Sequence, residues 1–310
     1  VRFYDTGESA SVLQIIAEGL LVRAKKGDSK RTVIYTAENH NHAAEILSEK
    51  LTGLLAENRM EINDYVQCLN TVIGKMSGVV TDPFQIEAQH LKPVVKNLQR
   101  CFLVESFSRI LISSIKWSDF HRGITLFEEK KDLIPFEEAK LYGHNAAHAL
   151  IGYLSYEKGY TFMSEARHDK SLWQLAQQAF IEESGGALCY RHHGKDLLFT
   201  RDGFKKYADD LLTRMTNPFL SDTVQRVVRD PRRKLLWDDR LIGTMRIAIE
   251  AGIAPHRYAL AAKAALEMLA KQEGKSEYIL LDDILAESPG NEHEKKVVKN
   301  LIFERRKSLT

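Results

Sequence analysis

The chain is poor in cysteine, with three in 310 residues, Cys68, Cys101 and Cys189. An odd, widely spaced set builds neither a disulfide framework nor a zinc-ligand pattern. It suits a reducing compartment, and we expect a cytoplasmic protein. No apolar run approaches the ~18 residues of a membrane span, and nothing at the start reads as a secretory leader. Charge of one sign is also lacking. Lys and Arg number 44 against 42 Asp and Glu, so the net charge is +2 and gives no electrostatic reason to expect nucleic acid or membrane partners. Internal repeats are missing, which argues against a solenoid. What remains is ordinary for a globular protein: 44% hydrophobic and 28% charged residues, in a chain long enough for about two domains.

Along the chain, Val1 to Tyr4 reads as a strand end. Ser9 to Lys26 reads as a helix, capped by Ser9 or Ser11 and stopped at Gly27. A β-branched run from Arg31 to Thr36, a helix from about Asn41 to Glu57 and a strand from Gln67 to Val72 follow. This alternation predicts α/β layering. Asp82 and Pro83 mark a break. Cys101 to Glu105 and Arg109 to Ser114 read as strands of a small sheet linking two domains. From about Phe136 onward the pattern predicts helices over 136–158, 171–184, 202–215, 237–251, 255–272 and 290–305.

The most informative stretch runs from Lys140 to His148. At 100° per residue, Lys140, His148 and Asn145 sit at about 0°, 80° and 140° on the helix. The opposite arc carries Ala146, Ala147, Leu150, Tyr153 and Leu154. Polar groups on an otherwise buried helix are costly unless satisfied or used. A lysine with amide and imidazole neighbours suits proton abstraction from an alcohol. A free lysine, with a pKa near ~10.4, is a poor base, but burial and nearby positive charge can lower it toward ~7–8. The plain alternative is a solvated lysine at a helix start and a hydrogen-bonded core histidine. His144 and His148 also stand at i, i+4, a spacing that can bind zinc, but the helix lacks the glutamate of His-Glu-x-x-His and has a lysine one turn away. We expect no metal.

The spacing Lys-x4-Asn-x2-His, read together with Asn217-Pro218, Asp222 and Arg226 in the order Asn-Pro-x-x-x-Asp-x-x-x-Arg, resembles the polyol-specific long-chain dehydrogenase (mannitol dehydrogenase) family. Glu182-Glu183-Ser184-Gly185, Gly252 to His256 and Thr36 to Asn39 fall in the family's order. The likeness covers roughly residues 6 to 270. It is closest to members that act on a hexitol phosphate such as mannitol 1-phosphate.

The resemblance implies roles. Lys140 would be the general base. Asn70 and Asn145 would hold the developing oxyanion as two preorganised amides, and His148 would orient substrate hydroxyls or the Lys140 amine. Where the family has Asp-Arg after the Asn70 segment, this chain has Gly74-Lys75, a departure that weakens the transfer at Asn70; a strand-end turn residue is its alternative. Arg226, Arg229 and Lys234 would bind the far end of the substrate, with guanidinium groups suited to phosphate, and His256 would line the same cleft. A solvated basic face paired with Asp222 and Asp230 is the alternative. Glu38 and Asn39 would lie beside the cofactor, or else cap the next helix.

The resemblance thus implies an α/β N-terminal domain over residues 1–92, with a partial Rossmann-like parallel sheet, and a mainly α-helical substrate domain over 93–310. The implied activity is a metal-independent, nicotinamide-dependent oxidoreduction of a sugar alcohol, with NAD as cofactor and NADP not distinguished. The partner would be a small-molecule polyol or its phosphate. Nowhere does Gly-x-Gly-x-x-Gly follow a strand and open a helix, so the usual pyrophosphate cradle is absent from this sequence. The chain also opens on Val1 rather than Met. We expect an N-terminally longer native product to bind the cofactor, and residues 1–310 alone to bind it weakly or not at all. The rivals are a non-catalytic relative that binds a sugar or phosphate, a free-polyol or hexuronate member of the same family, and a metal-dependent hydrolase.

Overall fold

A computed structural model describes residues 11–28, 30–38, 42–56, 64–98, 100–106 and 109–304. The expected strand at Val1 to Tyr4 lies outside them. The chain divides into two compact units: Val1–Lys75 with Ser106–Glu137, and Met76–Glu105 with Glu138–Thr310.

The first unit is built on a four-stranded sheet of β1 (Thr32–Thr36), β2 (Val66–Val72), β5 (Ile110–Ser113) and β6 (Phe127–Lys130), in that spatial order. β1 and β2 run parallel, with Thr32 opposite Val66 and Thr36 opposite Asn70. β5 joins β2 antiparallel, and β6 joins β5 in parallel. Two helices supply the core against this sheet. Val12–Lys25 starts at Ser11, whose hydroxyl accepts from the Gln14 N–H while the Gln14 side chain returns the bond. It buries Leu13, Ala17 and Leu20, and Ala43–Ala56 buries Leu47, Leu51 and Leu55. Spacings of i, i+4, i+7 in the first and i, i+4, i+8 in the second put each set on one stripe. Full burial of each leucine contributes about 1.5–3 kcal/mol.

The second unit is mainly helical, with one two-stranded hairpin of β3 (Ser77–Val80) and β4 (Cys101–Val104). Here the division departs from the expected boundary at 92/93. The hairpin belongs with the helices because Glu105 accepts from Arg214 Nε and Nη2 at 2.9 and 2.6 Å. Residues 106–137 belong with the sheet because β5 pairs with β2. Both ties are non-local and leave no local pattern.

Most of the expected helices are present, but two are interrupted. The helix over 134–157 contains a π-helical turn, Ala139–Asn145, and that over 170–191 contains another, Ala179–Gly185. Glycines let these turns approach their neighbours closely. A Cβ on Gly143 would lie 3.1 Å from the Phe180 ring, and one on Gly185 would lie 2.6 Å from the Phe204 ring. An additional helix, Glu277–Ala286, was not expected; it is capped by Ser276 and buries Leu280, Leu281, Ile284 and Leu285. No helix among the described residues is long and apolar enough to cross a membrane.

Candidate active site

The π turn changes the geometry of the Lys140 segment. An i to i+5 turn advances roughly 80° per residue instead of 100°. Five such steps bring Asn145 to about 40° from Lys140, and three α-helical steps then return His148 to about 20° on the other side. The three groups therefore share one narrow arc. Burial agrees: from Ala139 to Ser155 only Lys140, Leu141, Asn145 and His148 are more than marginally exposed. Such turns occur disproportionately at functional sites.

A hydrogen-bond chain holds the turn. Tyr258 Oη lies 2.6 Å from Ser184 Oγ, and Ser184 donates to the Tyr142 carbonyl at 2.8 Å. The neighbouring Glu183 is buried and accepts from the backbone N–H groups of Arg257 and Tyr258 at 3.0 and 3.1 Å. A carboxylate there satisfies the open donors at the start of the helix His256–Glu273. Burial nonetheless raises the Glu183 pKa, against the lowering effect of those donors. The motif from Glu182 to Gly185 is thus tied to the helix that begins at the end of the motif from Gly252 to His256. His256 itself is exposed, on the first residue of that helix.

The segment after Asn217 is fastened along the same helix. Met163 N–H donates to the Asp222 carbonyl and Val224 N–H to the Thr161 carbonyl, both at 2.9 Å. Tyr153 Oη donates to the Val228 carbonyl at 3.2 Å. Asp222 is thereby set against His148, its carboxylate 3.1 Å from Nε2. Arg226 donates Nε–H and Nη2–H to the two Asp222 oxygens, each at 2.6 Å. These partners bring the Asp222 pKa down to about 2, against the opposing effect of burial. A cleft of about 190 Å³ opens beside this pair, lined among others by Ser77, Gln85, Ser221 and Thr223.

The expected sharing of a helix face by Arg226 and Arg229 is not realised. That helix is only Val224–Val227, because Asp230 turns left-handed at φ 54° ahead of Pro231. Arg229 is exposed and donates Nε–H to the Arg226 carbonyl at 3.2 Å. Lys234 is different: it is 4% exposed, and its amine has no hydrogen-bond or ion-pair partner among the described residues. Burial, then the cations Arg240 and Arg233, lower its pKa from 10.5 to about 8. His144, 7% exposed, has an unpartnered Nδ1. Burial and the nearby His148 and Lys140 hold its pKa well below 6.5, so the ring is neutral.

In the first unit, Asn70 is 6% exposed and fully engaged. Its carbonyl accepts from the Ala44 N–H at 2.8 Å, and its amide donates to Glu45 at 2.8 and 3.1 Å. Glu38 is half-buried, just past the carboxyl end of β1, and Asn39 lies outside the described residues. Among the described residues no three His, Cys, Asp or Glu side chains gather as metal ligands. Sequence reading did not connect Asp222 to His148. Only the i, i+4 pair with Arg226 was visible, since the histidine is 74 residues away.

Fold and site together define an α/β unit joined to a helical unit that carries a lysine-centred polar arc. Residues 132–306 match the family model of the mannitol dehydrogenase C-terminal domain. The chain belongs to the mannitol dehydrogenase family. It is 30% identical over 237 residues to a mannitol-1-phosphate 5-dehydrogenase of Caldanaerobacter subterraneus subsp. tengcongensis, an alignment covering 75% of this chain and 55% of that protein. Its fold is similar to that of a substrate-free D-sorbitol dehydrogenase, with a TM-score of 0.64 and 18% identity over 86% of this chain and 54% of that one. It is also similar to Pseudomonas fluorescens mannitol 2-dehydrogenase in a ternary complex with NAD and D-mannitol, with a TM-score of 0.60 and 19% identity over 84% and 51% of the two chains. The chain thus spans about half the length of these relatives.

Proposed function

We propose that this chain carries the substrate side of a nicotinamide-dependent polyol dehydrogenase that needs no metal, with Lys140 as general base. The observation that carries this reading is the shared, half-buried polar arc of Lys140, Asn145 and His148 on an otherwise mostly buried helix. Lys140 Nζ would take the hydroxyl proton. As it leaves, the oxygen becomes an acceptor, and the Asn145 amide would donate to it. We assign that contact to Asn145 because the donors of Asn70 face Glu45. Lys234, buried without a hydrogen-bond partner among the described residues, would donate to an oxygen farther along the substrate, which offsets the cost of its burial.

A nicotinamide cofactor would accept the hydride, NAD being the reading and NADP its alternative. Its candidate neighbours in this chain are Glu38, just past the carboxyl end of β1 where open α/β sheets place ligands, and Asn39, the next residue in the sequence. With no glycine-rich strand-to-helix turn in the sequence, the residues present do not fit the diphosphate, and no contact to it is assigned. The resemblance to mannitol-1-phosphate 5-dehydrogenases, and the free guanidinium edge of Arg229, favour a phosphorylated hexitol. The test is to offer mannitol 1-phosphate, mannitol and a hexuronate with NAD or NADP and follow absorbance of the reduced cofactor. Cofactor-independent binding of the sugars without turnover would favour a non-catalytic sugar-binding relative.

A further inference from the structure

We propose that Asp222 is the positioning residue of this site, and that it makes His148 a hydrogen-bond acceptor toward the substrate through Nδ1. The consequence for substrate choice rests on the polyol site just proposed. The tautomer itself does not.

The argument starts from what Asp222 can do. Its side chain is 8% exposed and takes two charge-assisted bonds from Arg226, so it is clamped and ionised. A carboxylate has lone pairs only. The 3.1 Å contact with His148 Nε2 therefore requires the proton to be on Nε2. A neutral imidazole carries one N–H, so Nδ1 is left as a lone pair. That nitrogen has no protein partner among the described residues, and the ring is 19% exposed on the arc of Lys140 and Asn145.

A lone pair at this place recognises an O–H. It is not suited to the reacting oxygen, which gives its proton to Lys140 and then needs donors. It is suited to a neighbouring hydroxyl of the same substrate. The site thereby divides its work: Lys140 removes the proton, Asn145 stabilises the resulting oxyanion, and His148 reads the presence of the adjacent hydroxyl. A substrate lacking that hydroxyl leaves Nδ1 unpaired in a partly desolvated site, which is how enzymes discriminate most sharply against deoxy analogues.

The first test needs no turnover. The full chain is labelled with nitrogen-15 histidine, and its 11 rings are resolved in long-range proton–nitrogen spectra, with His148→Gln identifying the ring in question. In mildly alkaline buffer we expect His148 to carry its proton on Nε2. In Asp222→Asn the amide oxygen can keep only the Arg226 Nε donor; the amide NH2 takes the Oδ2 place, displaces the Nη2 donor and faces Nε2, and the proton should move to Nδ1. Asp222→Glu, which keeps a carboxylate, should restore the wild-type tautomer. A wild-type proton on Nδ1, protons on both nitrogens, or an unchanged tautomer in a folded Asp222→Asn protein would each overturn the assignment. The second test compares a polyol with its analogue lacking the hydroxyl next to the reacting carbon. The wild type should prefer the polyol in kcat/KM by at least about 10²-fold, and Asp222→Asn should erase most of that ratio, chiefly through KM for the polyol. An intact ratio in Asp222→Asn refutes the specificity role. Absence of any turnover refutes the proposed activity and leaves the tautomer to be decided by the spectra.

Discussion

Replacing Lys234 by Met should stabilise this protein while weakening its grip on substrate. The size follows from the burial of the amine. Its pKa falls from 10.5 to about 8, first through burial and then through the neighbouring Arg240 and Arg233. At ~1.4 kcal/mol per pH unit, the folded state bears a cost of about 3 kcal/mol while the amine is charged. Below pH 8 both folded and unfolded chains hold the proton, so the full cost is present. Between about 8 and 10.5 the unfolded chain holds more protons, so wild-type stability climbs with pH. Above 10.5 both forms are neutral and the cost is gone. Methionine keeps most of the volume without the charge. We therefore expect Lys234→Met to be more stable by up to about 3 kcal/mol at pH 7, with the advantage shrinking to near zero by about pH 10.5. Urea unfolding followed by far-ultraviolet circular dichroism at several pH values measures this. A methionine variant no more stable than wild type at pH 7, or an advantage independent of pH, would refute the claim that Asp230 and Asp239 offset the burial of this cation only in part without substrate.

Lys140→Ala should cut turnover by at least ~10²-fold with little change in cofactor affinity, as expected for loss of a general base; rates within threefold of wild type would sink that role. Arg229→Ala should remove a preference for a hexitol phosphate over the free hexitol, visible as a fall in kcat/KM for the phosphate alone. Equal specificity constants in the wild type would point to a free-polyol enzyme instead. Gly185→Ala would put a methyl group 2.6 Å from the Phe204 ring, so it should cost about 1–3 kcal/mol of stability by overpacking. Thermal melts would show whether the second π turn is as tightly packed as this requires.

The candidate site was only partly legible. Lys140, Asn145 and His148 could be picked out because one helix carried polar groups among residues that had to be buried. Their mutual register could not, because a π turn is set by what packs on it: the Ser184 hydroxyl, the Phe180 ring and the close approach at Gly143. Arg226 and Arg229 looked like a paired basic face under a helical periodicity. The helix stops at Val227 instead, and Asp222 occupies Arg226. Lys234 was one cation among several in the sequence, and only its burial sets it apart.

The sequence by itself determined what depends on neighbours a few residues away. The stripe Leu47, Leu51 and Leu55, the Ser11 cap with its Gln14 partner, and the β-branched run Thr32 to Thr36 specify helix, helix start and strand through local sterics and 3.6- or 2-residue periodicity. Tertiary structure decided what depends on residues far apart in the chain. The pairing of β5 with β2, the clasp of Glu105 by Arg214 and the contact of Asp222 with His148 each join segments tens of residues apart. Their energies come from pairing and desolvation across the fold, terms to which no local pattern responds.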